Sequence, residues 1–306
     1  MKVFVTGVGG QLGHDVMNEL HKRGYDAVGA GTKSRYSGVQ DDTAACSMPY
    51  IQLDITDAAA VEATLIQVKP DAVIHCAAWT AVDAAEEETN IPLVFAVNRD
   101  GTANIAAACQ KNGCKMLYVS TDYVFNGEGT EAWSSDNKNY APLNVYGQSK
   151  LEGELAVSGL LEKYFVVRTA WVFGLNGNNF VRTMLNVGQK YDAVCVVNDQ
   201  IGTPTYSHDL ARLLVDMIET EKYGYYHATN EGGYISWYDF CCEIYRQAGM
   251  ATKVQPVTTQ GYGLSRAARP FNSRLDKSKL ACAGFEPLPD WQDALKRYLQ
   301  ETGIIK

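Results

Sequence analysis

Hydrophobic and polar positions set a repeating rhythm along most of this chain. Residues 2–6 form a short β-branched and aromatic run, followed by glycines and then by Leu12, Val16 and Leu20 at helical spacing. That order predicts a strand, a tight turn and a helix. Similar runs recur at residues 25–30, 71–77, 115–120 and 165–169, with amphipathic stretches at 57–68, 91–111 and 147–162 between them. Strands alternating with helices of this length predict a parallel sheet covered on both faces, an α/β class. Right-handed crossovers make it a doubly wound, Rossmann-type fold. Beyond about residue 170 the alternation loosens. A polar Gly/Asn stretch occupies 174–179, a strand is expected near 193–197 and a helix over 207–221. Ser236-x-x-Asp239 reads as a helix start with a side-chain cap, and 290–300 as a final amphipathic helix. Residues 1–170 are therefore expected to form the sheet domain. Residues 171–306 are expected to form mainly a smaller C-terminal lobe, with some segments returning to the sheet. Residues 31–50 are polar and weakly periodic and are expected to be a long loop.

Composition narrows the class of function. At 306 residues, with 46% hydrophobic and 20% charged positions, the chain has ample material for a core and average globular usage. A net charge of −8 offers no basic field for nucleic acid, so any phosphate must be bound locally. No span approaches the roughly 20 apolar residues of a membrane helix, and the first residues lack the form of a signal peptide, so a cytoplasmic protein with no membrane partner is expected. Eight cysteines show no C-x-x-C pair, which favours reduced thiols over a zinc site.

Gly7-x-x-Gly10-x-x-Gly13 directly follows the first strand and opens the first helix. Glycines there permit a sharp turn, close approach to a pyrophosphate and tight helix packing, while helix-end N–H groups face the anion. The spacing differs from G-x-G-x-x-G and matches extended short-chain reductases. After the second strand the chain reads Gly31-Thr32-Lys33-Ser34-Arg35 with no acid. Lys33 and Arg35 are either partners for a 2′-phosphate, favouring NADPH over NADH, or solvated loop charges. Asp54 and Ile55 are expected beside the adenine, and Ala77-Ala78 beside the cofactor where small residues are needed.

Tyr146-x-x-x-Lys150 lies one turn apart on one helical face, about 25 residues after Ser120-Thr121-Asp122 at a strand end. Reducing a ketone needs an acid for the incipient alkoxide. A tyrosine serves if a nearby ammonium eases formation of its phenolate, and Thr121 can hold the substrate oxygen in line. A serine hydrolase is not supported, since no G-x-S-x-G elbow is present and the five histidines lack a partner arrangement. His75, inside an apolar run, reads as a core histidine.

Seven segments together resemble the dTDP-4-dehydrorhamnose reductase family over the length of the chain. They are Gly7-x-x-Gly-Gln-Leu-Gly13, Ala77-Ala-Trp-Thr-Ala-Val-Asp83, Ser120-Thr-Asp-Tyr-Val-Phe125, Tyr146-Gly-x-Ser-Lys150-x-x-Gly-Glu154, Arg168-Thr-Ala-Trp-Val-Phe173, Asp199-Gln-x-Gly-x-Pro-Thr205 and Arg269-Pro-x-Asn-Ser-x-Leu275. The resemblance implies hydride transfer from NAD(P)H to the C4 ketone of dTDP-4-dehydro-L-rhamnose, by a monomer or homodimer. It implies Thr121, Tyr146 and Lys150 as the catalytic trio. It implies Gly7, Gly10, Gln11, Leu12, Gly13, Lys33, Arg35, Asp54, Ile55, Cys76, Ala77, Ala78, Thr80, Asn98, Tyr146 and Lys150 around the cofactor. Around the dTDP-sugar it implies Thr80, Val82, Asp83, Thr121, Asp122, Tyr146, Trp171 and Arg269, the last toward the diphosphate. Some members of the family need Mg²⁺ to dimerise, but no acidic cluster in this sequence supports a metal.

The 31–50 segment is longer than the family leads one to expect, and Trp79 replaces the more usual tyrosine or asparagine. Two other functions fit parts of the pattern. A nucleotide-sugar epimerase or dehydratase shares the fold and Tyr-x-x-x-Lys, though Tyr123 stands where a dehydratase would carry Glu after Asp122. A non-catalytic NADP-binding regulatory subunit, like the methionine adenosyltransferase beta subunit, shares the fold without turnover.

Overall fold

The computed structural model describes residues 1–40 and 42–306. Its centre is a seven-stranded sheet. Five of the strands are β1 (Lys2–Thr6), β2 (Asp26–Gly31), β4 (Ala72–His75), β5 (Lys115–Thr121) and β6 (Tyr164–Thr169). The other two are the edge strands, β3 (Tyr50–Gln52) and Gly224–His227. The order is Gly224–His227, β6, β5, β4, β1, β2, β3, and every pair is parallel. Val3, Phe4, Val5, Val73 and Ile74 are wholly buried, as expected of central strands covered on both faces. One face packs on the helices Gln11–Lys22 and Ser207–Ile218. The other packs on Ala58–Val68, Thr102–Asn112 and Val145–Leu160.

The chain steps outward from β1 to β2 and β3, then returns to place β4 on the other side of β1. This reversal leaves a crevice at the carboxyl ends of β1 and β4. Thr6 and His75 end those strands side by side, and the Thr6 hydroxyl hydrogen-bonds His75 Nδ1 at 2.7 Å. His75 is wholly buried, and desolvation pushes its pKa down to about 3, so it is a neutral core histidine.

Residues after 170 build a separate core of Phe173, Val181, Leu185, Phe240, Trp291 and Tyr298. Around it lie the helices Phe180–Gly188, Trp237–Gln247 and Trp291–Glu301 and the parallel pair Ala193–Val197 with Lys253–Val257. Ser236 and Asp239 form the expected reciprocal cap: the Asp239 N–H donates to the Ser236 hydroxyl at 3.0 Å, and the Ser236 N–H to the Asp239 carboxylate at 2.9 Å. Ser207–Ile218 and Gly224–His227 return to the main sheet, and Leu280, Phe285 and Leu288 also pack into its core.

Two expectations need correction. Residues 31–50 are not loop throughout: Ala44–Ser47 is a helical turn and Tyr50 begins β3, which pairs with β2. A three-residue edge strand with an exposed Gln52 leaves no periodic trace. Asp41, within that segment, lies outside the described residues. The expected helix 91–111 is Ile91–Phe95, a π-helical turn Ala96–Gly101 and Thr102–Asn112. The wide turn aims the Asn98 amide back at Trp79, where it hydrogen-bonds both the N–H (2.8 Å) and the C=O (3.1 Å). Among the described residues no helix is long and apolar enough to cross a membrane.

Candidate active site

The carboxyl ends of β1, β2, β4, β5 and β6 open onto one cleft of about 700 Å³. At its floor the glycine turn leaves β1. Gly7 has φ +72°, and a Cβ there would lie 2.6 Å from the Ala77 nitrogen. A Cβ on Gly13 would strike the Gly7 carbonyl. The following helix, Gln11–Lys22, begins at Gly10 with no side-chain cap and no acid in its first turn. Its leading N–H groups therefore remain available to an anion. Toward β2 and β3 the walls are Thr32, Lys33, Ser37, Tyr50, Leu53, Asp54 and Ile55. Leu53 and Ile55 turn into the core while Asp54 stays exposed, its carboxylate accepting from the Thr56 N–H and hydroxyl at 2.9 and 2.8 Å.

At the other end the cleft gathers Ser120, Thr121, Asp122, Tyr146 and Lys150. Asn144 caps the helix Val145–Leu160, accepting from the Gly147 N–H at 2.7 Å. A Cβ on Gly147 would collide with the Tyr123 carbonyl, so glycine lets this helix approach the end of β5. Lys150 Nζ donates to the Val119 carbonyl at 2.8 Å and sits 4.1 Å from the Tyr118 ring centroid. Desolvation brings its pKa down to about 7, against the opposing pull of Glu154 and Cys76. Desolvation likewise pushes the Tyr146 phenol above its ordinary value, with a hydrogen bond to Thr121 drawing it back. In this geometry burial, not the lysine charge, dominates the phenol. The Thr121 hydroxyl donates to Asp122 Oδ1 at 3.1 Å, and burial raises Asp122 to about 6. Ser120 Oγ is buried at this wall with no hydrogen-bond partner among the described residues, as expected where a ligand completes the network.

The third wall comes from the lobe. Trp171 has φ +50°, a strained value for a bulky side chain. It is held by a stack on Trp237, with centroids 3.7 Å apart and planes 16° off parallel, and by Gly202, where a Cβ would lie 2.9 Å from the indole.

Of the residues expected from the sequence, Arg35, Asp83, Asn98 and Arg269 fall outside the cleft lining. Arg35 is exposed on the loop after β2. Asn98 is buried behind the cleft, bonding Trp79 and Ser149. Asp83 and Arg269 are paired with each other at 2.6 Å, and Asp83 also accepts from the Arg266 and Ala267 N–H groups. The remaining expected residues, from Gly7 to Trp171, all line it. Sequence reading missed Trp237, Ser37, Tyr50, Val97 and Asn178. Trp237 follows a helix cap and reads as core, and the others carry no motif. Among the described residues no group of three or more His, Cys, Asp or Glu side chains could hold a metal.

Residues 1–304 match the model of the RmlD substrate binding domain family. A dTDP-4-dehydrorhamnose reductase of Streptomyces griseus is 40% identical over 302 residues, covering 95% of this chain and 91% of its own. The spore coat polysaccharide biosynthesis protein SpsK of Bacillus subtilis is 35% identical, covering 98% and 97%. The crystal structure of the Bacillus anthracis dTDP-4-dehydrorhamnose reductase in complex with NADP superposes with a TM-score of 0.86 at 38% identity, covering 98% and 99%. A Thermus thermophilus UDP-glucose 4-epimerase shares the fold at 21% identity. By sequence, by fold and by the residues gathered in its cleft, the chain belongs to the dTDP-4-dehydrorhamnose reductase family.

Proposed function

We propose that this chain reduces the C4 ketone of dTDP-4-dehydro-L-rhamnose with NADPH, giving dTDP-L-rhamnose. The observation that carries this is the meeting of Thr121, Tyr146 and Lys150 with the uncapped glycine turn in one cleft. The cradle fits a dinucleotide: Cβ atoms at Gly7 and Gly13 would fill it, and the first-turn N–H groups face no carboxylate of their own. Gly7, Gly10, Gln11 and Gly13 would hold the diphosphate, Asp54 and Ile55 the adenine end, and Lys33 a 2′-phosphate. When bound, the cofactor supplies the hydride.

The protein's own groups do the rest. Tyr146, protonated at neutral pH, gives its proton to the oxygen that becomes the alcohol. Lys150, one turn along the same helix, stabilises the phenolate left behind. The Thr121 hydroxyl donates to Asp122 Oδ1 before a ketone enters, and would turn that single O–H to the substrate oxygen to steer it. Trp171 and Trp237 wall the sugar. As a nucleotide-sugar reductase the chain would act in the cytoplasm, as a monomer or homodimer, without nucleic acid or membrane. The domain roles follow the same division: residues 1–170 hold the cofactor, and most of 171–306 shape the sugar site.

The test is NADPH and NADH oxidation with enzymatically generated dTDP-4-dehydro-L-rhamnose. Turnover yielding the alcohol supports the proposal. A protein that binds cofactor but turns over nothing sinks it in favour of the regulatory-subunit reading.

Two further results are expected. Because Lys150 titrates near 7 and acts as an ammonium, kcat/KM should fall as pH rises through about 7. Stability linked to this lysine has the opposite sign. The unfolded chain keeps the proton up to about pH 10.4, so folding is relatively favoured as pH climbs between the two values. A flat kcat/KM profile from pH 6 to 9 would refute the charge requirement. Second, Trp237→Ala should free Trp171 from its strained pose and raise the KM for the sugar nucleotide about tenfold, the scale of a lost aromatic stack. Trp237→Phe should restore part of it. An unchanged KM would show the stack to be packing only.

A further inference from the structure

The polar 174–179 stretch has a place in the fold that its composition does not announce. Asn176 lies in it, only 4% exposed, with its amide wedged between two distant segments. Its Nδ2 donates to the Gly9 carbonyl at 3.0 Å and the Gly10 carbonyl at 3.3 Å, and its Oδ1 accepts from the Val39 N–H at 3.1 Å. Gly38 makes room for it, since a Cβ there would collide with Nδ2. Asn176 itself does not line the cleft.

Each bond has a consequence for the cofactor wall. A trans peptide points its C=O and N–H in opposite directions. Holding the Gly9 and Gly10 carbonyls from behind therefore fixes the orientation of the N–H groups of Gly10 and Gln11. The Gly10 N–H closes the turn onto the Gly7 carbonyl at 3.0 Å, and the Gln11 N–H leads the helix. The bond to Val39 anchors the loop after β2, whose Thr32, Lys33 and Ser37 form the wall beyond the glycine turn. Ser37 rests against the turn itself, its Oγ 3.2 Å from where a Gly9 Cβ would stand. One amide from the C-terminal half thus sets the spacing between the phosphate turn and Lys33, the only cation on the cleft wall near β2 among the described residues.

We propose that Asn176 is a specificity-determining positioning residue. By clamping the loop after β2 to the glycine turn, it places Lys33 and Ser37 to read a 2′-phosphate, and so sets the preference for NADPH over NADH. The proposal rests on the cofactor reading given above. Only a side chain with both a donor and an acceptor on one plane makes these three bonds. Alanine loses all of them, and aspartate would face two carbonyls with a carboxylate.

The experiment is a titration of NADPH and of NADH by cofactor fluorescence, with the full chain, for wild type, Asn176→Ala and Lys33→Ala, with thermal unfolding recorded alongside. Asn176→Ala is expected to raise the Kd for NADPH about tenfold, the size of about 1.4 kcal/mol of lost hydrogen bonding, and that for NADH by no more than about threefold, because both cofactors use the glycine turn but only NADPH uses the loop after β2. A general loosening of the fold would weaken both cofactors together, and equal weakening, or unchanged NADPH affinity, would overturn the proposal. Lys33→Ala, at an exposed position, gives a second arm that does not depend on Asn176→Ala folding. If it leaves the ratio of the two affinities unchanged, the loop reads no 2′-phosphate and the proposal falls. Wild-type protein that binds neither cofactor would instead overturn the underlying cofactor reading, and the proposal with it.

Discussion

Tyr146→Phe is expected to lower kcat by about 10²–10⁴-fold, the range associated with loss of a general acid, while NADPH binding persists. The substitution removes one oxygen and leaves the ring, which packs edge-on against Tyr123 with centroids 5.7 Å apart. The helix that carries it keeps its Asn144 cap and its buried contacts. Single-turnover kinetics with NADPH and the ketosugar would measure the loss, and cofactor fluorescence would confirm binding. Turnover within threefold of wild type would remove Tyr146 from the chemistry and leave Thr121 or Asp122 as the proton source. Asp122, raised to about 6, would then reveal itself by activity falling as pH rises through that value.

Arg168→Leu is expected to cost about 3–5 kcal/mol of stability, because it strands Glu154 as an unpaired buried charge. Both side chains are wholly buried, and the guanidinium grips the carboxylate through two bonds of 2.8 and 2.7 Å. Arg168 also donates to the Ser135 carbonyl and the Tyr140 hydroxyl, and its guanidinium carbon lies 5.0 Å from the Phe125 ring centroid. Urea denaturation would measure the change. The paired variant Arg168→Leu with Glu154→Leu should recover most of the loss, since two apolar side chains replace two charges. A single variant costing under about 1 kcal/mol, or a double as unstable as the single, would contradict this account. The pair matters to the site because Glu154 is one turn beyond Lys150 and joins that helix to β6.

Much of this was legible in the chain. The β/α alternation through residue 170 is visible because parallel strands buried on both faces are near-continuous apolar runs, and their helices carry a regular stripe. The glycine turn and Tyr146-x-x-x-Lys150 are local motifs, so their spacing survives in one dimension. Asn98, Asp83 and Arg269 lie off the cleft lining for the same reason in reverse. A motif position fixes neighbourhood, but whether a side chain faces the cleft depends on partners far away, such as Trp79 for Asn98 and the 266–269 segment for Asp83.

The sequence by itself determined the class of fold, the cofactor turn and the three candidate catalytic residues, because each is set by short-range geometry of the backbone or a helix. Tertiary structure alone decided that Trp237 braces Trp171, that Asn176 ties the glycine turn to the loop after β2, and that Lys150 titrates near 7. Those outcomes depend on burial and on contacts between residues tens to more than a hundred positions apart, and the order of residues along the chain does not encode either until the lobe closes on the sheet.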